Sequence, residues 1–332
     1  MMLLMNVDLP ATMAQQGYFA TIYNIRTRPI AMGGAFTSVE DDLPAVLYNP
    51  GAFTMYKNRK SFRLTFFMNP LASYLAFYSD SDRFRNSMNE RDALLDASLL
   101  FKGIVLTSRS FNLGVILGEE SIETIRRMES PRFFNYNDLW ENCAHTAFLN
   151  IDLARRVSIG ISGTRYESHI NSLKSTSYGF SYGILLKPGE RVNVGLSYVD
   201  FPEKNATFRL PIERLMDETM NIGISYRPFD STVLSADVRN LSEENKANVR
   251  EVHLGFEQQI LGITALRMGF FRERFTRNVR YSAGVGLLDS NLISREKDRF
   301  NHRQFICNYS FVYEDDVTTF NRWHFLSLIY RF

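Results

Sequence analysis

The chain has 332 residues, of which 45% are hydrophobic, 14% aromatic and 22% charged, and its formal net charge is +2. A charge so near zero gives no support to a nucleic-acid-binding protein, which needs a strongly basic face. The sequence contains no run of about 18 apolar residues, and its mean hydropathy is −0.19, which argues against a helical membrane protein. A transmembrane β-barrel is compatible with both values, because only every second strand residue faces lipid.

Residues 1–16 have two open interpretations, the remnant of an export signal or a flexible terminus. The first fourteen residues have a short apolar core and end in small residues, Ala11 to Ala14, which resemble a signal cleavage site. No basic residue precedes that core, which is unusual for an export signal.

Residues 17–58 are predicted to form a hatch that plugs the lumen of a barrel. Turn signals interrupt the segment at Gly33-Gly34, Asp41-Asp42 and Asn49-Pro50, and Asp42 is predicted to cap a short helix from Leu43 to Tyr48. Irregular backbone cannot face lipid, because its polar groups would lack partners. The segment is also too apolar for a solvated tail; its apolar residues are Ile30, Met32, Phe36, Val39, Leu43, Val46 and Leu47.

Residues 59–332 are predicted to form an all-β, antiparallel transmembrane barrel of about fourteen strands. Apolar residues alternate with small or polar ones, as in 191–200, where Val192, Val194, Leu196 and Tyr198 share one face. The candidate strands are 61–68, 71–79, 99–108, 111–119, 142–154, 156–166, 176–187, 190–200, 219–228, 231–239, 250–259, 263–272, 278–288, 303–313 and 322–332. Bacterial barrels have even strand numbers, so 61–68 is interpreted as a lead-in. Residues 87–100 are predicted to form a short helix on an outer loop.

Two further features favour a membrane barrel over a soluble sandwich. The polar face is rich in Gly, Ser and Asn, which suits a lumen that holds other parts of the chain. Tight turns near 109–110, 155–156, 188–189, 229–230 and 261–262 alternate with predicted longer loops near 120–140, 167–175, 201–217 and 241–249. Outer-membrane barrels combine short periplasmic turns with long external loops.

The chain ends inside a predicted strand. Leu326, Leu328, Tyr330 and Phe332 share one face, and the ending Tyr330-Arg331-Phe332 resembles the C-terminal signature by which outer-membrane barrels are recognised for assembly. We therefore predict that Tyr330 and Phe332 form an assembly signal, with the barrel-assembly machinery and outer-membrane lipid as partners.

The run Ala31-Met32-Gly33-Gly34-Ala35-Phe36, followed by Asp41-Asp42 and Asn49-Pro50, resembles the hatch of the outer-membrane long-chain fatty-acid transporter (FadL-like) superfamily. The stretch 222–271 also resembles the second half of these barrels. Two features depart from the usual pattern: Gly51 follows Asn49-Pro50 where the family has alanine, and the length is nearer to the PorV/PorQ-like branch. The resemblance implies the bacterial outer membrane, a hydrophobic ligand and lateral exit through the wall. The ligand-binding and gating residues that it implies are Gly33, Gly34, Phe36, Asp42, Asn49 and Pro50.

The sequence offers little for catalysis. Gly179-Phe180-Ser181-Tyr182-Gly183 matches a nucleophile motif, but that motif needs a strand–turn–helix elbow and here it falls within a predicted strand. The five histidines show no metal-ligand spacing, and Cys143 and Cys307 are interpreted as small apolar residues. We predict no catalytic residue, no metal and no cofactor.

Charged residues on the predicted inward faces are the candidate lumen residues: Arg227, Asp237, Arg239, His253, Glu257, Arg267 and Arg280. They have two interpretations, an ion-pair network that fixes the plug or direct contacts with a substrate. Two hypotheses for function remain open. The first is uptake of hydrophobic small molecules such as fatty acids, gated by the hatch, with Phe67, Phe148 and Leu185 lining an apolar inner face. The second is a PorV/PorQ-like component of protein secretion or surface attachment, with a secretion-system partner bound by the loops.

Overall fold

A computed structural model describes residues 17–55, 62–79, 99–120, 143–170, 173–200, 218–241, 250–261, 264–273, 279–287, 304–315 and 320–332. Fourteen antiparallel strands form a sheet that closes on itself, and one further strand joins it in parallel. The strands are β1 Gly17–Thr21, β2 Arg63–Met68, β3 Phe101–Thr107, β4 Phe111–Glu120, β5 Cys143–Ala154, β6 Val157–Ile170, β7 Leu173–Leu186, β8 Val192–Asp200, β9 Glu218–Tyr226, β10 Thr232–Arg239, β11 Glu251–Ile260, β12 Thr264–Glu273, β13 Val279–Leu287, β14 Gln304–Asp315 and β15 Phe320–Arg331.

The barrel closes between its last strand and β2. Tyr330 lies opposite Met68 and Arg331 lies opposite Phe67. The backbones of Phe66 and Phe332 also exchange two hydrogen bonds, at 3.0 and 3.2 Å between N and O. Farther along β15, the same edge is occupied by β1, which runs parallel to residues 321–325. Two different segments of the chain therefore complete the edge of the last strand.

The barrel exposes its apolar residues and buries its polar ones. On β9, Ile222 and Ile224 are 41% and 50% exposed, whereas the flanking Asn221 and Ser225 are buried. The same alternation covers β7, where Tyr178, Phe180 and Tyr182 point outward. A soluble sheet would reverse this pattern, so the outer surface is that of a membrane-spanning barrel. No helix of the described ranges is long and apolar enough to span a membrane.

The predicted number of barrel strands is confirmed, but one predicted strand was wrong. Residues 71–79 belong to a helix, α3, Pro70–Ser79. The side chain of Asn69 accepts a hydrogen bond from the backbone N–H of Ala72 at 3.1 Å, and Pro70 occupies the first helical position. This cap and the proline are strong helix-start signals. The segment 61–68, interpreted from the sequence as a lead-in, contains β2, which closes the barrel.

Of the predicted long loops, one was wrong and the others lie mostly outside the described residues. The long loop predicted at 167–175 was wrong, because β6 continues to Ile170 and β7 begins at Leu173. Most of the predicted helix at 87–100 and of the loops at 120–140, 201–217 and 241–249 lies outside the described residues. The short turns and the C-terminus lie at the same end of the barrel, as the alternation of connections predicted.

Residues 22–55, here called the N-terminal segment, contact the inward faces of the strands. The segment contains α1 Thr27–Ala31, α2 Leu43–Val46 and a 3₁₀ helix Pro50–Ala52, and almost all its residues are buried. α1 contacts β12 to β15, and the 3₁₀ helix contacts β5 to β8. Asp42 precedes α2 as predicted, but its side chain makes no capping hydrogen bond. The sequence did not predict that β1 would extend the sheet before the chain turns inward.

Candidate functional site

The candidate site is the contact between the N-terminal segment and the inner wall of the barrel. It begins where the chain leaves β1 and turns inward. The ammonium group of Lys102 donates to the carbonyl oxygens of Tyr23 and Gly118, both at 2.9 Å, and lies 3.8 Å from the centre of the Tyr23 ring. It also pairs with Glu119 at 2.9 Å, and the other carboxylate oxygen of Glu119 accepts from the backbone N–H of Ile25 at 3.2 Å. The wall strands β3 and β4 thus hold the chain at its point of entry.

Paired glycines on neighbouring strands let the N-terminal segment approach the backbone of the wall. Gly160 of β6 lies opposite Gly183 of β7. A Cβ atom on Gly160 would meet the backbone N of Gly51 at 2.6 Å, and one on Gly183 would meet the same atom at 2.8 Å. Because a side chain at either position would collide with backbone, the 3₁₀ helix can rest here only against glycine.

The same arrangement recurs around the wall. Gly255 and Gly269 form a cross-strand pair, and the carbonyl oxygen of Met32 would lie 2.7 Å from a Cβ on Gly255. Gly195 and Gly223 form a third pair, against Thr37. The glycines of the segment contribute as well, since Gly33 and Gly34 have φ angles of 64° and 74°, which favour glycine.

Asn49 joins the segment to the wall. Its side-chain oxygen accepts from the backbone N–H of Gly51 at 2.9 Å, which caps the 3₁₀ helix. Its amide donates to the carbonyl of Thr37 at 2.7 Å and to the carbonyl of Ile184 in β7 at 3.0 Å. The carbonyls of Pro50 and Gly51 accept from Asn150, and that of Gly51 also accepts from Ser158 at 2.6 Å. Asn49 and Pro50, predicted as gating residues, are therefore bonded to β7 and β5, and Gly51 adds a bond to β6.

A buried ion-pair network fixes α1 to the wall. The guanidinium of Arg28 forms a bidentate contact with Glu257, at 2.6 and 2.8 Å, and pairs with Asp41 at 2.7 Å. Arg267 donates to the same Glu257 carboxylate at 2.5 Å and to Asn308 at 2.7 Å. The four charged side chains are at most 4% exposed and carry balanced charge, which offsets the cost of removing them from water.

Asp237, Arg239 and His253 hold the turn between α1 and α2. One carboxylate oxygen of Asp237 accepts from the backbone N–H groups of Phe36 and Thr37, both at 2.8 Å. Arg239 donates to the carbonyl of Gly34, and Nδ1 of His253 lies 2.6 Å from the carbonyl oxygen of Gly33. The imidazole stacks on Phe271 with 4.3 Å between ring centroids. These wall residues bind the backbone of the segment.

Glu40 of the segment pairs with the wall where β7 ends at a short turn. Its carboxylate pairs with Lys187 at 2.5 Å and accepts from Asn193 at 3.3 Å. Burial by itself raises the pKa of Glu40, but the opposing positive charges of Lys187 and Arg227 outweigh it, so the pKa lies below the ordinary value of 4.5. Glu40 is therefore an anion at neutral pH, and its pairing persists there.

The inner wall has an apolar sector beside this polar one. Phe67, Phe148 and Ile329 of the wall pack with Leu43 and Phe53 of the segment, and the Phe53 and Phe148 rings lie 4.9 Å apart. Ile25, Val46, Val105 and Ile116 complete the cluster. Leu185 lies in a second cluster, with Met32, Phe36 and Tyr48. All three aromatic or aliphatic residues predicted to face inward are buried.

The structure brings together most of the predicted site residues. Gly33, Gly34, Phe36, Asn49 and Pro50 touch the wall, and Asp237, Arg239, His253, Glu257 and Arg267 touch the segment. Arg280 is buried over the Phe271 ring, at 5.3 Å from its centre. Arg227 follows β9 and is partly buried near Glu40.

Several partners in this contact were missed by the sequence analysis. They are Arg28, Asp41, Lys102, Glu119, Asn308 and Arg331. Arg331 had a readable signal, since it alternates with Tyr330 and Phe332 and must therefore point inward. The cross-strand glycine pairs also had a readable signal, because successive predicted strands each carry a glycine at a similar distance from the strand end. Gly179 to Gly183 lies within β7, so Ser181 is on a strand and not on an elbow, as predicted.

Comparisons with known proteins add little to this description. No protein-family model matches the chain, and neither does any curated protein. Among solved structures, engineered variants of a porin from Rhodopseudomonas blastica match with a TM-score of 0.36 and 8% or 9% identity, over 69% of this chain and 75% of the porin. Another solved structure, described as 'Asymmetric conductivity of engineered proteins', matches with a TM-score of 0.35 and 9% identity, again over 69% of this chain and 75% of the other. Similarity at this level carries no argument about function, which must come from the geometry of the chain itself.

Proposed function

We propose that the protein is a channel of the bacterial outer membrane that passes hydrophobic small molecules, and that the N-terminal segment is its gate. The apolar outer surface supports the location, since a charge-poor outer face suits lipid. The barrel interior supports the gate, because the segment fills the space beside the inner wall of at least ten strands and would have to move for a solute to pass.

The apolar sector carries the proposal of a hydrophobic solute. It lies between the segment and strands β2 to β5, and its members include Phe53, Phe67 and Phe148. The polar sector, on β10 to β14, holds the segment through ion pairs and hydrogen bonds. An apolar solute gains free energy by leaving water for the first sector, whereas the second sector would reject it.

The seam between β2 and β15 supports lateral exit into the membrane. The two strands pair through residues 66–68 and 330–332, a short contact in comparison with the twelve register pairs of β14 and β15. Phe67 and Ile329, at this seam, both belong to the apolar sector. A solute bound there would thus lie beside the shortest strand pairing that closes the barrel.

A reversible crosslink between the segment and the barrel wall tests whether the segment must move during uptake. The hydroxyl of Ser225 on β9 donates to the carbonyl of Ser38 at 3.0 Å, so cysteines at these two positions would lie within reach of a short bis-thiosulfonate crosslinker, which joins two thiols through reducible disulfides and releases sulfinate. We expect the Ser38→Cys/Ser225→Cys protein, in a Cys143→Ser/Cys307→Ser background, to lose uptake of a fluorescent long-chain fatty acid after crosslinking and to regain it after reduction.

The two single-cysteine proteins are the matched controls, because the crosslinker cannot bridge them. Unchanged uptake in the crosslinked double variant would rule out a moving segment. Uptake of a sugar but not of the fatty acid by the free double variant would contradict the hydrophobic solute while leaving the channel intact.

The second hypothesis, a PorV/PorQ-like part in secretion or surface attachment, depends on the loops at 120–140 and 201–217. Most of both lies outside the described residues, so no contact of this structure bears on it. Retention of a secreted protein at the cell surface that is lost on deletion of these loops, with fatty-acid uptake unaffected, would favour that hypothesis.

A further inference from the structure

An apolar groove runs across the outer, membrane-facing side of β9 to β12. Its volume is about 530 Å³, within the range of small-molecule sites. The side chains that border it are Ile224, Tyr226, Leu234, Ala236, Leu254, Phe256, Met268 and Phe270. Of these, Met268 is 62% exposed and Leu254 46% exposed, so the groove opens toward the lipid.

The floor of the groove is backbone supported from inside the barrel. Ser235, Gly255 and Gly269 form one cross-strand row and line the floor. On the other side of this row lie Met32 and Gly33 of the N-terminal segment. The wall is therefore only one backbone thick here and is backed by packed chain.

Two arginines lie at one end of the groove. Arg272 follows Met268 and Phe270 at two-residue intervals on the same outward face, is exposed, and lies opposite Val252. Arg250 is also exposed and precedes Val252 by two residues, which places it on the outward side one row farther from the barrel centre. This end is opposite the short turns and the C-terminus, and no acidic side chain of the described residues forms an ion pair with either arginine.

A second outer groove provides an internal comparison. It covers β5 to β9, has a volume of about 340 Å³ and is floored by Gly160 and Gly183. Arg165 follows Ile161 of this groove by four residues, the same interval that separates Arg272 from Met268. Arg165, however, pairs with Glu167 at 2.7 Å, so its charge is already matched.

We propose that the groove on β9 to β12 binds an anionic phospholipid, one whose headgroup phosphate is not neutralised by a cation of the same headgroup. An acyl chain lies along the apolar groove, and Arg250 and Arg272 hold the phosphate of the headgroup. Guanidinium groups match phosphate oxygens in charge and geometry. Two exposed arginines above a lipid-facing groove, with no acidic partner in the described parts of the chain, supply the anion site that the apolar lining lacks. The proposal rests on the membrane location and is independent of transport through the lumen.

Competition between lipids tests the site. The purified full chain is exchanged into mixed micelles that contain equal amounts of phosphatidylglycerol and phosphatidylcholine with identical acyl chains, and lipids retained on the protein are counted by native mass spectrometry. We expect preferential retention of phosphatidylglycerol. The Arg250→Gln/Arg272→Gln variant should lose that preference by about tenfold, because two charge-assisted contacts disappear.

Two further variants separate the head site from the groove. Arg165→Gln is the matched control and should leave the preference unchanged. Ala236→Phe, which fills the groove from β10, should lower retention of both lipids, with folding checked by the heat-dependent shift on a gel. Equal retention of the two lipids by the parent chain, or an Arg165→Gln effect as large as that of the double variant, would overturn the proposal. So would phosphatidylglycerol retention that inorganic phosphate alone abolishes, since that would show an ion site without a chain site.

Discussion

Arg331 of the last barrel strand and Asp42 of the N-terminal segment form a buried ion pair, with 2.5 Å between Nη1 and Oδ2. The two residues are 289 positions apart, and Arg331 is the penultimate residue of the chain. The same strand end pairs with β2, so one short stretch both closes the barrel and fixes the segment inside it.

Loss of this pair should loosen the segment without opening the barrel. In Arg331→Met, Asp42 is left as a buried charge without that partner, and a broken buried pair costs about 3–5 kcal/mol. We expect faster hydrogen exchange in residues 42–55 and little change in β5 to β9. Arg156→Met, at an exposed turn, is the control. Unchanged exchange in 42–55 would show that the pair does not hold the segment.

Glu257 should be the most sensitive of the lumen carboxylates, because it faces two arginines. Glu257→Gln keeps the shape of the side chain but leaves Arg28 and Arg267 with less negative charge, at a cost of about 3–5 kcal/mol. The expected result is increased proteolysis within residues 22–41 and, if the segment is a gate, increased conductance in planar bilayers. Glu190→Gln, on an exposed turn, should behave as the parent chain in both measurements.

Gly160→Ala tests the close approach of the 3₁₀ helix to the wall. The new methyl group would meet the backbone of Pro50 and Gly51, and overpacking of this kind costs about 1–3 kcal/mol. We expect displacement of residues 49–52, detected as faster exchange of the Gly51 amide. Gly189→Ala has open space around it and should have no such effect. Equal exchange in the two variants would contradict the glycine-pair argument.

The contact between Glu40 and Lys187 should depend on pH only in acid. Because the pKa of Glu40 is lowered in the folded state, its stabilising contribution is fully present above the ordinary value of 4.5 and is lost as the pH falls through the lower, folded-state pKa. Hydrogen exchange of residues 38–41 should thus be constant from neutral pH down to about 4.5 and rise below it. Lys187→Met removes the main opposing charge, raises the pKa of Glu40 and should move the rise to higher pH. A rise near neutral pH in the parent chain would contradict this assignment.

Phe332 should be needed to close the barrel as well as to direct assembly. Its ring stacks on Phe66 with 5.2 Å between centroids, and the two backbones exchange hydrogen bonds. We expect Phe332→Ala to refold from urea into lipid vesicles with a lower yield, measured by the heat-dependent gel shift, and Phe332→Tyr to refold as the parent chain does. Equal yields in vesicles, with a defect in cells alone, would assign Phe332 to recognition and not to closure.

The sequence by itself determined which residues face lipid, because successive side chains of a strand point to opposite faces and the apolar set must therefore lie on one face. Ile222 and Ile224 must point opposite to Asn221 and Ser225 in any register of β9. The number of barrel strands was also predicted correctly, although for a partly wrong reason. The candidate strand 61–68 was excluded from the count, whereas 71–79, which is helical, should have been excluded. The helix start at Asn69-Pro70 was overlooked because the apolar residues from Leu71 to Phe77 fit the two-residue period of a strand as well as the 3.6-residue period of a helix. The inward charges Asp237, Glu257 and Arg267 were readable from alternation alone.

Only the tertiary structure decided what those inward residues touch. Glu257 meets Arg28 across 229 positions and Asp42 meets Arg331 across 289, and no local pattern encodes such separations. The same holds for β1, whose pairing with β15 depends on an edge that β2 leaves vacant. Alternation fixes the direction of a side chain relative to its own strand, whereas its partner depends on the curvature of the whole barrel and on the path of the segment within it.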